Sequence, residues 1–249
     1  MTTVLTRTVA ALFLVAALAA CQPAEEPAAP SRPEAPRIEQ ARAHDSVLTA
    51  GIVALDRVYN TELVAPYDVL EHTYYRDSTR FVAPFVVSPD GQPVTTFEGI
   101  EVAAHYSFED APPIDVLVVP STGNSLKADL QNERFLRWLE TTAKNADHVL
   151  SVCYGGLPLA ATGVLDGRQA TTFPSAQDQM AQQFPEITVR RDVRFVVDGR
   201  YITSVGGARS YEPALYLVDQ LYGTDTARSI ADGLVLPWTL DAIPHAVAP

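Results

Sequence analysis

Cys153 stands in Val149-Leu-Ser-Val-Cys-Tyr-Gly-Gly156, an apolar run that ends in small residues. A lone thiol at a strand-to-helix turn is a candidate nucleophile. Ser151, Gly155 and Gly156 give it neighbours without bulk, as a sharp elbow that pushes a side chain outward requires. The free N–H groups and positive end of a following helix lower a thiol pKa and favour thiolate. The amide of Tyr154 is placed to face a developing oxyanion. The alternative is a buried structural cysteine, since free cysteine is among the most buried residue types. The other cysteine, Cys21, closes the apolar run Val9–Ala20, and neither context suggests a disulfide.

The five histidines are His44, His72, His105, His148 and His245. None is spaced as a metal ligand, and neither CxxC nor HExxH occurs. His148 opens the strand that ends at Cys153 and is therefore remote from it. His72 reads as an ordinary helix residue, and a triad through His105 is the minor alternative. Gly206-Gly207 does not have dinucleotide-loop spacing. Neither metal nor cofactor is expected. Arg209 is read as a solvated loop residue rather than a contact for an anionic substrate.

The first 20 residues have the form of an export signal: Arg7, then an apolar core too short to span a bilayer. Leu18-Ala-Ala-Cys21 resembles a bacterial lipobox, in which cleavage precedes the cysteine and the thiol is acylated. The alternative is an ordinary signal cut near Ala20. With Gln22 rather than Asp next, the lipobox reading implies an outer-membrane anchor facing the periplasm, with the lipid bilayer as a partner through Cys21. Residues 21–45, rich in Pro, Ala and Glu, are expected to be a semi-extended tether that cannot bury enough surface to fold. The folded domain is expected at 46–240, followed by a tail at 241–249. A formal net charge of −12 repels nucleic acid and anionic headgroups, so no nucleic-acid partner is expected.

Within the domain, apolar runs alternate with helical patterns. Strands are read in Leu48–Tyr59, Phe81–Val87, Ile114–Val119, His148–Cys153, Thr188–Val197 and Tyr201–Ser204. A pair of short strands meets at Gly99 within Val94–Phe108. Helices are read at Glu62–Thr73, Leu126–Ala146, Leu157–Gly163 and Tyr211–Tyr222, the last capped by Ser210. This alternation indicates an α/β fold, with a mostly parallel sheet covered on both faces. Sites in such sheets lie beyond the carboxyl ends of the strands, where Cys153 is.

The segment Ser151–Thr172 (SVCYGGLPLAATGVLDGRQATT) resembles the elbow of the ThiJ/PfpI superfamily, specifically its isonitrile-hydratase-like and AraC-regulator-associated branches. Tyr59–Val69 and Gly199–Gly207, followed by Tyr211–Val218, resemble the first-helix segment and the late strand and helix of the same proteins. The likeness runs from about Leu48 to Trp238. It implies a class I glutamine-amidotransferase-like, flavodoxin-like three-layer sandwich, commonly homodimeric. It also places the family's acid on Glu62, where a carboxyl bonds the nucleophilic sulfur and transfers a proton. Such a buried carboxyl should have a raised pKa. Without the likeness, Glu62 reads as an acid complementing a helix dipole.

Three departures matter. Tyr154 stands where peptidase-like members have His and hydratase-like members Thr, so proteolysis is not expected. Phe173-Pro174 replaces a His-Trp pair. Pro120-Ser-Thr-Gly123 replaces Pro-Gly-Gly, leaving Gly123 or Ser121 as the second oxyanion donor. Tyr154 and Phe173 then shape the pocket. The implied function is addition of Cys153 to a small electrophile, of hydratase or hydrolase type, with Glu62 transferring the proton. The alternative is a ligand- or oxidation-sensing module related to the sensor domains of AraC-type regulators.

Overall fold

The computed structural model describes residues 32–35, 37–43 and 46–249. The export signal and Cys21 lie outside the described residues. Among the described residues no helix is long and apolar enough to cross a membrane.

One eight-stranded sheet organises Arg32–Pro249, which is a single compact unit. Its strands in chain order are β1 Leu48–Val53, β2 Val82–Ser88, β3 Tyr106–Ser107, β4 Val116–Val119, β5 His148–Val152, β6 Phe195–Asp198, β7 Tyr201–Ser204 and β8 His245–Val247. In space they run β8-β6-β7-β5-β4-β1-β2-β3. All pairings are parallel except the β6–β7 hairpin. The helices are α1 Ile38–Ala43, α2 Asn60–Glu71, α3 Glu133–Asn145, α4 Gly156–Ala161, α5 Gln177–Gln183, α6 Tyr211–Tyr222 and α7 Thr224–Gly233.

Side-chain alternation along the strands assigns the layers. Val116 and Val118 of β4 point into one core with Leu63 and Leu70 of α2, Leu215 of α6 and Ile230 of α7. Leu117 and Val119 point into the opposite core with Phe135 and Leu139 of α3 and Leu159 of α4. With both faces covered, the central strands read as continuous apolar runs. The expected α/β sandwich is the fold observed.

Several expected elements differ. The helix expected from Leu126 begins only at Glu133, where Asn132 caps the Phe135 amide at 3.1 Å. The residues before it are bent back by Asp129, whose buried carboxylate accepts the hydroxyls of Thr122 at 2.6 Å and Ser125 at 3.2 Å. Ser210 does not cap α6; its hydroxyl donates to the Gly207 carbonyl at 2.8 Å.

The expected tether and tail also fold in part. Ala35 and Ile38 are buried in the α3-side core. Arg32 pairs with Asp110 at 2.8 Å, and Arg37 pairs with Glu71. Two apolar side chains and two ion pairs outweigh a proline-rich composition there. At the other end, β8 pairs with Phe195–Val197, and the His245 ring stacks on Phe195 at 5.0 Å. A three-residue strand is too short to show a period on its own.

Candidate active site

Three adjacent strands end at one place. β1 leads through Arg57 and Tyr59 into α2, which carries Glu62 in its first turn. β4 runs into Ser121. β5 runs into a 3-10 turn, Cys153–Gly155, ahead of α4. The first two loops are joined. Tyr59 donates its amide to the Ser121 carbonyl at 3.1 Å, Gly123 donates to the Arg57 carbonyl at 2.9 Å, and Val58 bridges Thr122.

Cys153 has φ = 57°, a left-handed conformation unusual for a residue with a side chain. Its surroundings hold it there. Gly206, at φ 73°, lies so close that a Cβ would sit 2.3 Å from the Cys153 Cβ. A Cβ on Gly155 would sit 2.2 Å from the Val119 carbonyl oxygen. The Thr172 hydroxyl donates to the Cys153 carbonyl at 2.7 Å. This is the expected elbow, built from a single 3-10 turn.

Glu62 is 3% exposed and Cys153 4%. The Ser121 amide donates to Glu62 Oε2 at 3.0 Å, and the Ser121 hydroxyl donates to the same oxygen. The Gly207 amide reaches Oε1 at 3.3 Å. Glu62 also lies close enough to Cys153 for each group to shift the pKa of the other. Burial raises the Glu62 pKa, as expected for a carboxyl in this position, against the opposing effect of its donors.

The thiol differs from expectation. Burial, and then the neighbouring Glu62 charge, push the Cys153 pKa well above the ordinary thiol value. Hydrogen bonds from the Ser121 hydroxyl and the Tyr154 amide oppose this without cancelling it. The helix beyond the elbow has only six residues, so its dipole does not outweigh desolvation. The two groups therefore titrate as a pair, the charge of Glu62 opposing ionisation of the thiol.

The other candidates have definite positions. Tyr154 follows Cys153, and its ring lies 5.0 Å from that of Phe173. The amides of Ser121 and Gly123, the two expected second oxyanion donors, are committed to Glu62 and to the Arg57 carbonyl. His105 accepts the Val86 amide on Nδ1 at 2.9 Å beside β3, four strands from β5. His148 lies at the opposite end of β5. Arg209 is held by Glu212 at 3.0 Å. Sequence reasoning missed Thr172, Gly206 and the Gly207 amide. The Gly-Gly pair ahead of α6 was their visible signal, since it permits close backbone approach. Among the described residues there is no group of three or more His, Cys, Asp or Glu side chains arranged to hold a metal.

The DJ-1/PfpI family pattern matches residues 49–220. The chain belongs to the DJ-1/PfpI family. This DJ-1/PfpI chain is 33% identical over 183 residues to the isonitrile hydratase of Pseudomonas putida, covering 74% of this chain and 76% of that one. It is 31% identical over 151 residues to the HTH-type transcriptional regulator CdhR of Pseudomonas aeruginosa, covering 61% of this chain but only 44% of the regulator. The crystal structure of Drosophila melanogaster DJ-1beta superposes with a TM-score of 0.65 at 23% identity, over 77% of this chain and all of that one.

Proposed function

We propose that this DJ-1/PfpI protein is a cysteine-nucleophile enzyme acting on a small electrophile, as a hydratase or hydrolase. The observation that carries this reading is the Cys153–Glu62 pair, a thiol on a left-handed elbow against a buried carboxyl with a raised pKa. The similarity to an isonitrile hydratase supports the same chemistry. On an isonitrile the thiolate bonds to the terminal carbon as one C–N π bond opens onto nitrogen, Glu62 gives its proton to that carbon, and the Tyr154 amide faces the developing charge. Water adds across the resulting C=N bond, hydroxyl to carbon and proton to nitrogen; the C–S bond breaks as the C=O bond forms, the sulfur leaves as thiolate, and the hydroxyl proton returns to Glu62. On an acyl carbonyl the thiolate displaces the leaving group, which takes the Glu62 proton, and water then hydrolyses the thioester and returns a proton to Glu62. Only side chains and water are needed.

Export and acylation of Cys21, anchoring the domain at the outer membrane, belong to this proposal. They rest on the Leu18–Cys21 pattern. The decisive experiment is turnover of an isonitrile and carbonyl panel by wild type, Cys153→Ser and Glu62→Gln. Activity lost in both variants supports the mechanism; undiminished activity in Cys153→Ser overturns it.

A second reading is a ligand-sensing module. Two observations favour it: the Cys153 thiol is almost wholly covered, and the chain resembles part of a transcriptional regulator. Saturable binding of a panel compound without turnover, retained in Cys153→Ser, would support this reading over the first.

A further inference from the structure

Ser121 and Thr122 are consecutive, and each gives its hydroxyl to a different buried acid. The Ser121 hydroxyl donates to Glu62 Oε2, alongside the Ser121 amide at 3.0 Å. The Thr122 hydroxyl donates to Asp129 Oδ2 at 2.6 Å. All four residues are buried, Asp129 with 6% of its surface exposed. The chemistry above uses Glu62 and gives Asp129 no part.

Asp129 is the centre of a closed network. The Ser125 hydroxyl also donates to its Oδ2, at 3.2 Å. Each hydroxyl in turn accepts a backbone amide: Thr122 Oγ1 accepts that of Asn124, and Ser125 Oγ that of Thr122, both at 2.8 Å. The Asp129 amide closes the loop on the Asn124 carbonyl at 3.2 Å. Among the described residues no cation pairs with the Asp129 carboxylate. Burying a carboxyl without an ion partner costs stability. What this one supplies is a fixed position for Thr122.

The backbone carries that position to the site. Thr122 bridges Val58, and Tyr59 donates its amide to the Ser121 carbonyl at 3.1 Å, which is the pairing of an extended stretch. Successive side chains of an extended stretch point to opposite sides. With Thr122 drawn to Asp129 on one side, Ser121 is turned to Glu62 on the other.

We infer that Asp129 is a positioning residue of the site: by holding Thr122 it sets the Ser121 amide and hydroxyl on Glu62. Its consequence for the reactivity of Cys153 rests on the cysteine-nucleophile reading; its effect on the Glu62 carboxyl does not. Without Asp129 the buried Thr122 and Ser125 hydroxyls lose their acceptor, the loop turns to satisfy them elsewhere, and the grip of Ser121 loosens.

The test follows the Glu62 carboxyl of the full chain against pH, by carbon-13 NMR of protein labelled at the glutamate Cδ. The resonance is assigned by its loss in Glu62→Gln. Donors to a carboxylate favour its charged form, so loosening Ser121 raises the Glu62 midpoint. Asp129→Ala and the isosteric Thr122→Val should each raise it by about one pH unit. Asp129→Asn should leave it near wild type, because its carbonyl still accepts both hydroxyls. In a Ser121→Ala background the shift from Asp129→Ala should shrink, since a donor through which it acts is gone. Thr122→Val decides the matter if Asp129→Ala does not fold. An unchanged midpoint in Thr122→Val overturns the inference, as does a shift from Asp129→Ala of the same size with and without the Ser121 hydroxyl. Iodoacetamide labelling of Cys153 is read on the same samples. If wild-type Cys153 labels only on unfolding, the cysteine-nucleophile reading falls, while the Glu62 midpoints still decide the role of Asp129.

Discussion

Ser121 grips Glu62 twice, with its amide and its hydroxyl on the same carboxyl oxygen. A residue with no side chain at this position would supply only the amide. The same hydroxyl also favours ionisation of the Cys153 thiol, so it acts on both members of the pair.

The pair has a defined pH response. The labelling midpoint of Cys153 with iodoacetamide is expected above the free-thiol value of about 8.5, because burial and the Glu62 charge both oppose the thiolate. Glu62→Gln removes the charge and should move the midpoint down. An unchanged midpoint would mean that the two groups are not coupled.

The same carboxyl affects stability. Its folded-state pKa lies above the unfolded value of about 4.3, so folding favours the protonated form. That advantage is complete below the unfolded pKa and is lost as pH rises through the folded one. Urea denaturation of wild type and Glu62→Gln should therefore show the variant gaining relative stability between pH 4 and pH 8. A gain in the opposite direction would contradict the raised pKa.

The elbow tolerates no added carbon. Gly206→Ala combines a positive-φ penalty with a clash against Cys153, and Gly155→Ala drives a methyl into the Val119 carbonyl. Each should cost about 2–5 kcal/mol by urea denaturation. Labelling of Cys153 in Gly206→Ala should change more than stability alone explains, since the clash is with Cys153 itself.

Thr172→Val keeps the shape and removes the donor to the Cys153 carbonyl. Leaving that buried acceptor unpaired should cost about 1–3 kcal/mol. A loss below about 0.5 kcal/mol would show that the carbonyl finds another donor.

The segment before β1 is part of the domain. Ile38, 3% exposed, should cost about 2–4 kcal/mol when replaced by Ala. A solvated tether would give a change near zero.

The parallel sheet was legible because Val116–Val119 is apolar throughout and Val149–Val152 holds only Ser151 as a polar residue, the pattern of strands covered on both faces. Cys153 was legible because its small neighbours have a steric meaning. Glu62 was visible only through family likeness, since an acid in a first helical turn has an ordinary local explanation. The role of Ser121 was not legible. Its partner is 59 residues away, and no local pattern encodes that pairing. The thiol pKa was misjudged because sequence shows the dipole of a following helix but not the depth at which the sulfur lies. Helix α7 was missed for a related reason: its buried face consists of Ala227, Ile230 and Ala231, too small a stripe to stand out.

Glu62, Ser121 and Cys153 come from three neighbouring strands, each contributing one loop. Those strands join residues far apart along the chain: β1 pairs with β4, and β4 with β5. Contacts of such long sequence separation form late and together when a chain folds. A nascent or half-folded molecule therefore carries a thiol with no partner and no elbow. The contact between Cys153 and Glu62 and the left-handed elbow therefore arise only when β1, β4 and β5 are side by side.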